Sequence, residues 1–263
     1  MVNDKRTTRF NKLISILRKN GGARISELAE ILDCSHMTVR RDLKILERQS
    51  IVHVFHGSVV FNEISASPNS ESGGEYLTNI AETENLSEKR EIGRKAAELI
   101  DPHDVIIIDS GTTAEQVARA IPEEMPLTLI CYSLNVLQAV TRRPNINIIF
   151  TGGHFHNDTL MFESPEGIAL LQRNRAIKAF ISAAGVNLTL GVTCLHDYER
   201  NIKTAALKNA LKKIIIVDSS KMSKVFPSFF ADIKDFDIMI TDSRIKEEDV
   251  NTIRELGIEV IIT

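Results

Sequence analysis

Two groups of side chains in this 263-residue chain have the types and spacing to do chemistry. The first is Asp109-Ser110-Gly111-Thr112-Thr113, which follows the β-branched run Val105 to Ile108 and precedes a helical stretch, Ala114 to Ala120. A strand, a small polar loop and a helix in that order turn backbone N–H groups and hydroxyls toward one point at a helix N-terminus. Such a cradle holds an anion, for example the phosphate of a small metabolite. The lysine and spacing of a Walker loop are absent, and a plain strand-to-helix turn fits the same residues equally well. The second group is basic. Met37, Arg41, Lys44 and Arg48 share one face of a helical segment from His36 to Arg48, with His36, Thr38 and Arg40 on its flanks. Arginine bonds guanine bidentately and Thr38 reaches a phosphate or a thymine methyl, so this face suits a major groove; a solvated basic face is the alternative. Asp42 is expected to pair with one of these arginines.

The elements that must position the basic face are legible. Phe10, Leu13, Ile14 and Leu17 follow helical spacing and stop at Asn20-Gly21-Gly22, where glycine supplies a left-handed cap. A short helix is expected from Ile25 to Leu32, capped by Ser26, with Leu28, Ala29, Ile31 and Leu32 packing inward. Asp33-Cys34-Ser35 is a three-residue turn whose Ser35 caps the third helix, and Val39, Leu43 and Leu46 form that helix's buried stripe. Helix, tight turn and helix make a helix-turn-helix, and Ile51 to Val60, alternating around Gly57, reads as a β-hairpin wing.

Charge is distributed to match. The chain carries a formal net charge of −3, yet residues 1–60 hold 11 Lys/Arg against 6 Asp/Glu, leaving 21 against 29 for the remainder. A basic head on an acidic body fits a nucleic-acid-binding unit on a body that DNA repels. Hydrophobic residues at 43% and charged residues at 25% exclude a disordered or fibrous chain. No run approaches the roughly 18 apolar residues of a membrane span and the N-terminus lacks the apolar stretch of a secretory signal, so a cytoplasmic protein is expected. Cys34, Cys131 and Cys194 stand far apart with no CxxC pairing, so neither a disulfide framework nor a zinc site is indicated and three buried thiols are expected.

Asn62 to Asn85 is rich in Ser, Asn, Glu and Gly and reads as a linker, giving domains at 1–60 and 86–263 joined by 61–85. Leu86 to Ile100 resumes helical spacing. Thereafter apolar runs end repeatedly in small-residue loops: Leu127 to Cys131 before Tyr132-Ser133-Leu134-Asn135, Ile146 to Phe150 before Thr151-Gly152-Gly153, and Ala179 to Ser182 before Ala183-Ala184-Gly185. Ile214 to Val217 then leads to Asp218-Ser219-Ser220-Lys221, and Ile238 to Ile240 to Thr241-Asp242. Runs of this kind alternating with helices indicate an α/β domain with a mainly parallel sheet, whose ligand crevice lies at the carboxyl ends of its strands. Asp218 and Asp242 fall at strand ends, where a pocket role and a capping role are not separable. Glu199 lies four residues before Lys203, on one face if the segment is helical. It can bind sugar hydroxyls or form an ordinary i,i+4 ion pair worth about 0.3 to 0.5 kcal/mol.

The segment ISELAEILDCSHMTVRRDLKILE closely resembles the winged helix-turn-helix of the DeoR family, whose signature is the run Thr38-Val39-Arg40-Arg41-Asp42-Leu43. The wing departs from the family pattern, because Val54-Phe55-His56-Gly57-Ser58 stands where an arginine and His-Gly-Gly are usual. The later stretches resemble the family's sensor domain, which is itself similar to ribose-5-phosphate isomerase. The resemblance implies a transcriptional repressor of a sugar or nucleoside catabolic operon, acting as a homo-oligomer on operator DNA. Its effector is implied to be a phosphorylated sugar, deoxyribose 5-phosphate first, and no cofactor is implied. DNA contacts are then expected from Ser35, His36, Met37, Thr38, Arg40, Arg41, Lys44, Arg48 and His56. Mapped the same way, the effector site takes Asp109, Ser110, Gly111, Thr112 and Thr113 around the phosphate, and Gly152 and Gly153 for close backbone approach. Tyr132, Ser133, Asn135, Ala184, Gly185, Glu199, Lys203 and Lys221 complete it.

Two other readings remain open. His154 and His156 form an HxH pair, which shares a face only in a strand and has only Asp158 nearby as a further ligand. An isomerase with an added DNA-binding head would use the same phosphate cradle plus a base, for which Glu199, Asp109 or Asp218 would serve; the expectation here is a protein that is not an enzyme.

Overall fold

The computed structural model describes residues 9–10, 12–17, 20–48, 52–55, 57–61 and 85–263. The expected linker therefore lies outside the described residues except at its two ends, as do His56 and the side chain of Arg48.

The N-terminal elements are α1 (helical at residues 9–10, 12–17 and 20), β1 (Gly22–Arg24), α2 (Ile25–Ile31), α3 (His36–Arg48), β2 (Val52–Phe55) and β3 (Ser58–Phe61). Leu13, Leu17, Leu28, Val39, Leu43 and Leu46 are fully buried in a core of their own. The wing is a three-stranded antiparallel sheet in the order β1-β3-β2. β1 was not expected: Gly22 to Arg24 is too short to show a period, and it becomes a strand only by pairing with Ser58 to Val60, far along the chain. Its approach is set by Gly21, whose φ of +69° is the left-handed conformation that glycine adopts without strain. The N-cap of α2 is Arg24 rather than Ser26, and the Glu27 carboxylate accepts from the Arg24 N–H at 3.2 Å.

The C-terminal elements begin with α4 (Leu86–Ala97), β4 (Val105–Ile108), α5 (Thr112–Ala120), β5 (Leu127–Cys131), α6 (Leu134–Val140), β6 (Ile146–Phe150), β7 (His154–His156) and β8 (Met161–Glu163). They continue with α7 (Pro165–Arg173), β9 (Ala176–Ile181), β10 (Gly185–Asn187), β11 (Gly191–Cys194) and α8 (Asp197–Lys208). The last are β12 (Ala210–Ile216), β13 (Ser228–Ala231), β14 (Ile238–Thr241), α9 (Glu247–Glu255) and β15 (Glu259–Ile262). Seven strands form one sheet in the order β15-β14-β12-β9-β4-β5-β6, parallel throughout. β7 and β8 form a hairpin, and β10, β11 and β13 a small antiparallel sheet.

Alternate residues of each central strand point to opposite faces. Ile106 and Ile108 enter a core with Ile92, Ala96, Val117 and Val136 of α4, α5 and α6, whereas Ile107 joins Leu171, Ile202 and Ile253 of α7, α8 and α9. Both faces are covered, which is why these strands read as continuous apolar runs. From β4 the chain adds β5 and β6 on one side and later adds β9, β12, β14 and β15 on the other. The order therefore switches between β4 and β9, and at such a switch the loops leaving the strand ends part to form a crevice. Among the described residues no helix is long and apolar enough to cross a membrane.

Candidate functional site

Asp109 follows the last residue of β4 and is completely buried. Its N–H donates to Phe180 O of β9 at 3.0 Å, which carries the sheet ladder one residue past the strand and fixes the side chain over the switch point. Each carboxylate oxygen is engaged. Tyr132 Oη donates to Oδ1 at 2.5 Å, while Oδ2 receives Lys203 Nζ at 2.5 Å and the Ser182 N–H at 2.8 Å. Ser182 Oγ lies 2.9 Å from the same oxygen and 2.7 Å from Ser110 O, with one proton to share between them. A buried carboxylate is tolerable only when paired and hydrogen-bonded in this way.

Lys203 and Glu199 lie one turn apart on α8, with Lys203 Nζ 3.9 Å from Glu199 Oε2. The helical spacing expected for this pair is present, and both side chains are buried. Burial pushes the Glu199 carboxyl above its ordinary range against the opposing pull of Lys203. Burial works to lower the Lys203 ammonium, but the Asp109 and then the Glu199 carboxylates reverse this, and it is held above its ordinary value. Tyr132 is raised well above the usual phenol, by burial first and by Asp109 second. It is a proton-bearing donor, not a phenolate.

In front of this node opens a pocket of about 50 Å³, lined by Ser110, Gly111 and Thr112 on one side and Ser182, Ala183 and Ala184 on the other. Thr159, Leu195, Glu199 and Lys203 complete it. At roughly 10–15 Å³ for a water, the enclosed space holds a few water-sized groups, and it opens to solvent beyond them. Gly111 caps α5 with a φ of +98°. The first amides of that helix have no intrahelical acceptor and present the positive end of its dipole to the pocket. The two ends of the pocket thus differ: amides and hydroxyls at α5, an ionisable carboxylate and an ammonium at α8.

The structure distributes the expected effector residues in four ways. Ser110, Gly111, Thr112, Ala184, Glu199 and Lys203 line the pocket. Asp109, Tyr132, Ser133 and Asn135 stand behind it and hold it: Ser133 Oγ is 3.4 Å from Asp109 O, and Asn135 Nδ2 donates to Gly111 O at 3.2 Å. Thr113 is buried within α5. Gly152, Gly153, Gly185 and Lys221 lie outside the lining. A side chain at Gly153 would meet Glu163 O at 2.4 Å and one at Gly185 would meet Lys224 O at 2.5 Å, so these glycines admit neighbouring backbone. Four lining residues escaped the sequence reading as site residues. Ser182 and Ala183 carried a signal, the end of an apolar strand; Thr159 and Leu195 carried none.

Asp218 and Asp242 act as caps. Asp218 Oδ1 accepts from the Ser220 N–H at 3.1 Å, and Asp242 accepts from the Ser219 and Arg244 N–H groups at 2.6 and 3.0 Å. His154 and His156 do share a strand, but the His156 ring stacks on Tyr198 with centroids 3.6 Å apart. Among the described residues no group of three or more His, Cys, Asp or Glu side chains is disposed to hold a metal ion.

At the other end of the molecule Ser35 begins α3, its Oγ 3.2 Å from the Thr38 N–H and 2.9 Å from Thr38 Oγ1. His36, Met37, Arg40, Arg41 and Lys44 are all exposed, Met37 by 69%. Arg40, Arg41 and Lys44 form no ion pair among the described residues. Asp42 does not pair with them: it is buried and takes Arg9 Nε of α1 at 2.7 Å, so it ties the helices together instead of tempering the basic face. Cys131 and Cys194 are buried as expected, while Cys34, in the turn, is half-buried.

Comparison with known proteins agrees with both ends. Residues 9–65 match the DeoR-like helix-turn-helix domain and residues 84–243 the DeoR C terminal sensor domain. The deoxyribose operon repressor of Escherichia coli K12 is 33% identical over 238 residues, 90% of this chain and 91% of its own. The HTH-type transcriptional regulator GolR of Listeria innocua is 30% identical over 256 residues, 97% of each chain. Among solved structures, a ribose 5-phosphate isomerase A from Methanocaldococcus jannaschii is similar over 52% of this chain and 55% of its own, at 19% identity and a TM-score of 0.39, a likeness too loose to carry an argument about chemistry. With both of its matched regions and its relatives in agreement, the chain belongs to the DeoR family of transcriptional regulators.

Proposed function

We propose that this regulator represses a sugar or nucleoside catabolic operon, that it binds operator DNA through α3, and that a phosphorylated sugar in the pocket relieves the repression. Deoxyribose 5-phosphate is the first choice of effector. The observation that carries the effector class is the polarity of the pocket. Unpaired amides and the hydroxyls of Ser110 and Thr112 at the α5 N-terminus suit a phosphate, and Glu199 beside Lys203 suits the hydroxyls at the other end of the same small molecule. The name of the 33% identical repressor supports deoxyribose as the sugar. Asp109 is assigned a positioning part, because both of its oxygens are already taken. The reading includes a cytoplasmic homo-oligomer, since one helix-turn-helix offers few base contacts and helix-turn-helix proteins in general bind paired half-sites as dimers.

The test is thermal unfolding against deoxyribose 5-phosphate, ribose 5-phosphate, hexose phosphates and inorganic phosphate in parallel. At 100 times its dissociation constant a ligand contributes about 2.7 kcal/mol, several degrees for a chain of this length. A shift for one sugar phosphate and not for phosphate alone is expected, and no shift for any compound would remove the effector assignment. Glu199 is the carboxylate that an isomerase would need as its base; incubation with ribose 5-phosphate is expected to leave it unconverted, and turnover that Glu199→Gln abolishes would replace the repressor reading with the enzymatic one.

A further inference from the structure

The pocket and the helix-turn-helix are connected by a short stretch of chain. Ser182, Ala183 and Ala184 line the pocket, and the next residue begins β10. β10 does not move alone. The Ala184 N–H donates to Thr193 O at 3.0 Å, Thr193 Oγ1 donates to Gly185 O at 3.2 Å and accepts from the Phe226 N–H at 3.0 Å, and the missing side chain at Gly185 lets Lys224 O come close. β10, β11 and residues 223–226 are therefore one body, with one edge in the pocket wall.

The opposite edge of that body carries the N-terminal unit. Asn187 Nδ2, at the end of β10, donates to Asn20 O at 3.1 Å, where α1 ends. A side chain at Gly21 would lie 2.2 Å from Ser223 O, and one at Gly22 would meet Leu190 Cδ1 at 3.1 Å and Val225 Cγ2 at 3.4 Å. The contact falls on the α1–β1 junction, from which α2 and then α3 follow directly. It is narrow as well as close. Arg24 Nη2 also donates to Thr189 O at 3.5 Å, but beyond it a cavity of about 360 Å³ separates Phe55 and Ser58 of the wing from Leu190, Phe226 and Phe229, and another of about 190 Å³ lies between Glu27 and Ile31 of α2 and the β10–β11 turn. Spaces of this size admit water, so this is a pivot with solvent on both sides rather than a sealed interface.

Resting on the effector reading above, we propose that the β10–β11 hairpin is the coupling element of the regulator: a ligand seated against Ser182–Ala184 shifts the hairpin, and the Asn187–Asn20 and Leu190–Gly22 contacts pass the shift to the helix-turn-helix. Linkage makes the effect reciprocal, so operator DNA weakens the ligand by the same factor by which the ligand weakens operator binding. The pocket residues need not touch DNA for this, and the two contact residues need not touch the ligand.

The experiment uses the full chain, a duplex selected by the wild type from a random pool, deoxyribose 5-phosphate as probe, and the variants Asn187→Ala, Leu190→Ala and both together. In the wild type the probe is expected to lower operator affinity about 5- to 150-fold, the usual span of such couplings. The double variant is expected to keep the probe-induced rise in melting temperature, which shows an intact pocket, while its own ratio falls within twofold of one. A double variant that melts with the wild type and retains the full ratio overturns the proposal. A ligand-free arm separates the two readings: removing the contacts is expected to change the double variant's operator affinity by at least threefold with no sugar phosphate present. If no sugar phosphate shifts the wild type, the effector reading falls and this arm alone decides the coupling, an unchanged affinity overturning it and a changed one supporting it.

Discussion

Asp109 and Arg41 carry opposite charges and live under opposite rules. Asp109 has no exposed surface and each of its oxygens is met by a donor, so its charge is stabilised within the folded chain. Arg41 is exposed on α3 and makes no ion pair among the described residues, so its charge contributes only when something outside the chain arrives. The difference separates two ways of building a binding site. The pocket is held in shape at a cost in desolvation, repaid by geometry before any ligand comes. The α3 face costs the fold almost nothing and is held in shape by its apolar side, through Val39, Leu43 and Leu46. Substitutions at the first should therefore register in stability and those at the second in DNA binding.

The largest expected effect is Asp109→Ala. It leaves the Lys203 ammonium buried without its nearest carboxylate and Tyr132 Oη without an acceptor, and breaking a buried pair from one side costs about 3–5 kcal/mol. Urea denaturation should show that loss. A loss below about 1 kcal/mol would mean that water reaches the node and that the comparison is drawn too sharply.

Arg41→Ala is the converse case. Denaturation should place it within about 0.5 kcal/mol of the wild type, as for other surface changes. Binding to the selected duplex should weaken by about 1–3 kcal/mol if Arg41 reads a base, with relaxed preference at one position, whereas a phosphate contact would weaken all sequences alike and reduce the salt dependence. Undiminished binding would remove α3 as the reading element. Between these extremes stands Ser35→Ala, which touches both properties. Loss of the cap on the Thr38 N–H should cost about 1 kcal/mol in denaturation, and operator binding should fall by no more than that if Ser35 acts only through the helix.

The same contrast explains what could be read in advance. The α3 unit is built from contacts within a few residues, so its stripe, its turn and its exposed face follow from spacing, and the observed helix has the expected bounds, His36–Arg48. Six of the seven strands of the parallel sheet were legible because burial on both faces leaves apolar runs, whereas β15, an edge strand with Glu259 and Ile262 exposed, was not read. The partners of Asp109 were not, because Tyr132, Ser182 and Lys203 come from 23, 73 and 94 residues away and meet only when β4, β5, β9 and α8 are assembled. Asp42 fails for a like reason: its neighbours in sequence are arginines, but its partner is Arg9 of another helix. Thr159 and Leu195 sit in loops whose place over the pocket is decided by the β7–β8 hairpin and by α8, and no local pattern announces them.

Glu199 should give the smallest effect and the one that best sharpens the comparison, because it lies at the border between the paired node and the open pocket. Burial raises its carboxyl in the folded chain above the ordinary value of 4.5. A carboxyl raised on folding favours the folded state while protonated. Its contribution is complete below the unfolded value and is lost as pH rises through the folded one. Glu199→Gln has no such proton to lose, and its amide oxygen can still accept from the His196 N–H that Glu199 Oε1 now meets at 3.0 Å. The stability of the variant relative to the wild type should therefore improve as pH rises from about 4.5 and level off above the raised value, followed by urea denaturation at intervals from pH 4.5 to 8. A flat difference would mean that Glu199 is as well solvated as Arg41, and that the built, desolvated part of the site ends at Lys203. A difference that falls with pH would mean that attraction to Lys203 outweighs burial, and Glu199 would then belong with Asp109 among the groups that hold the pocket instead of those that meet its ligand.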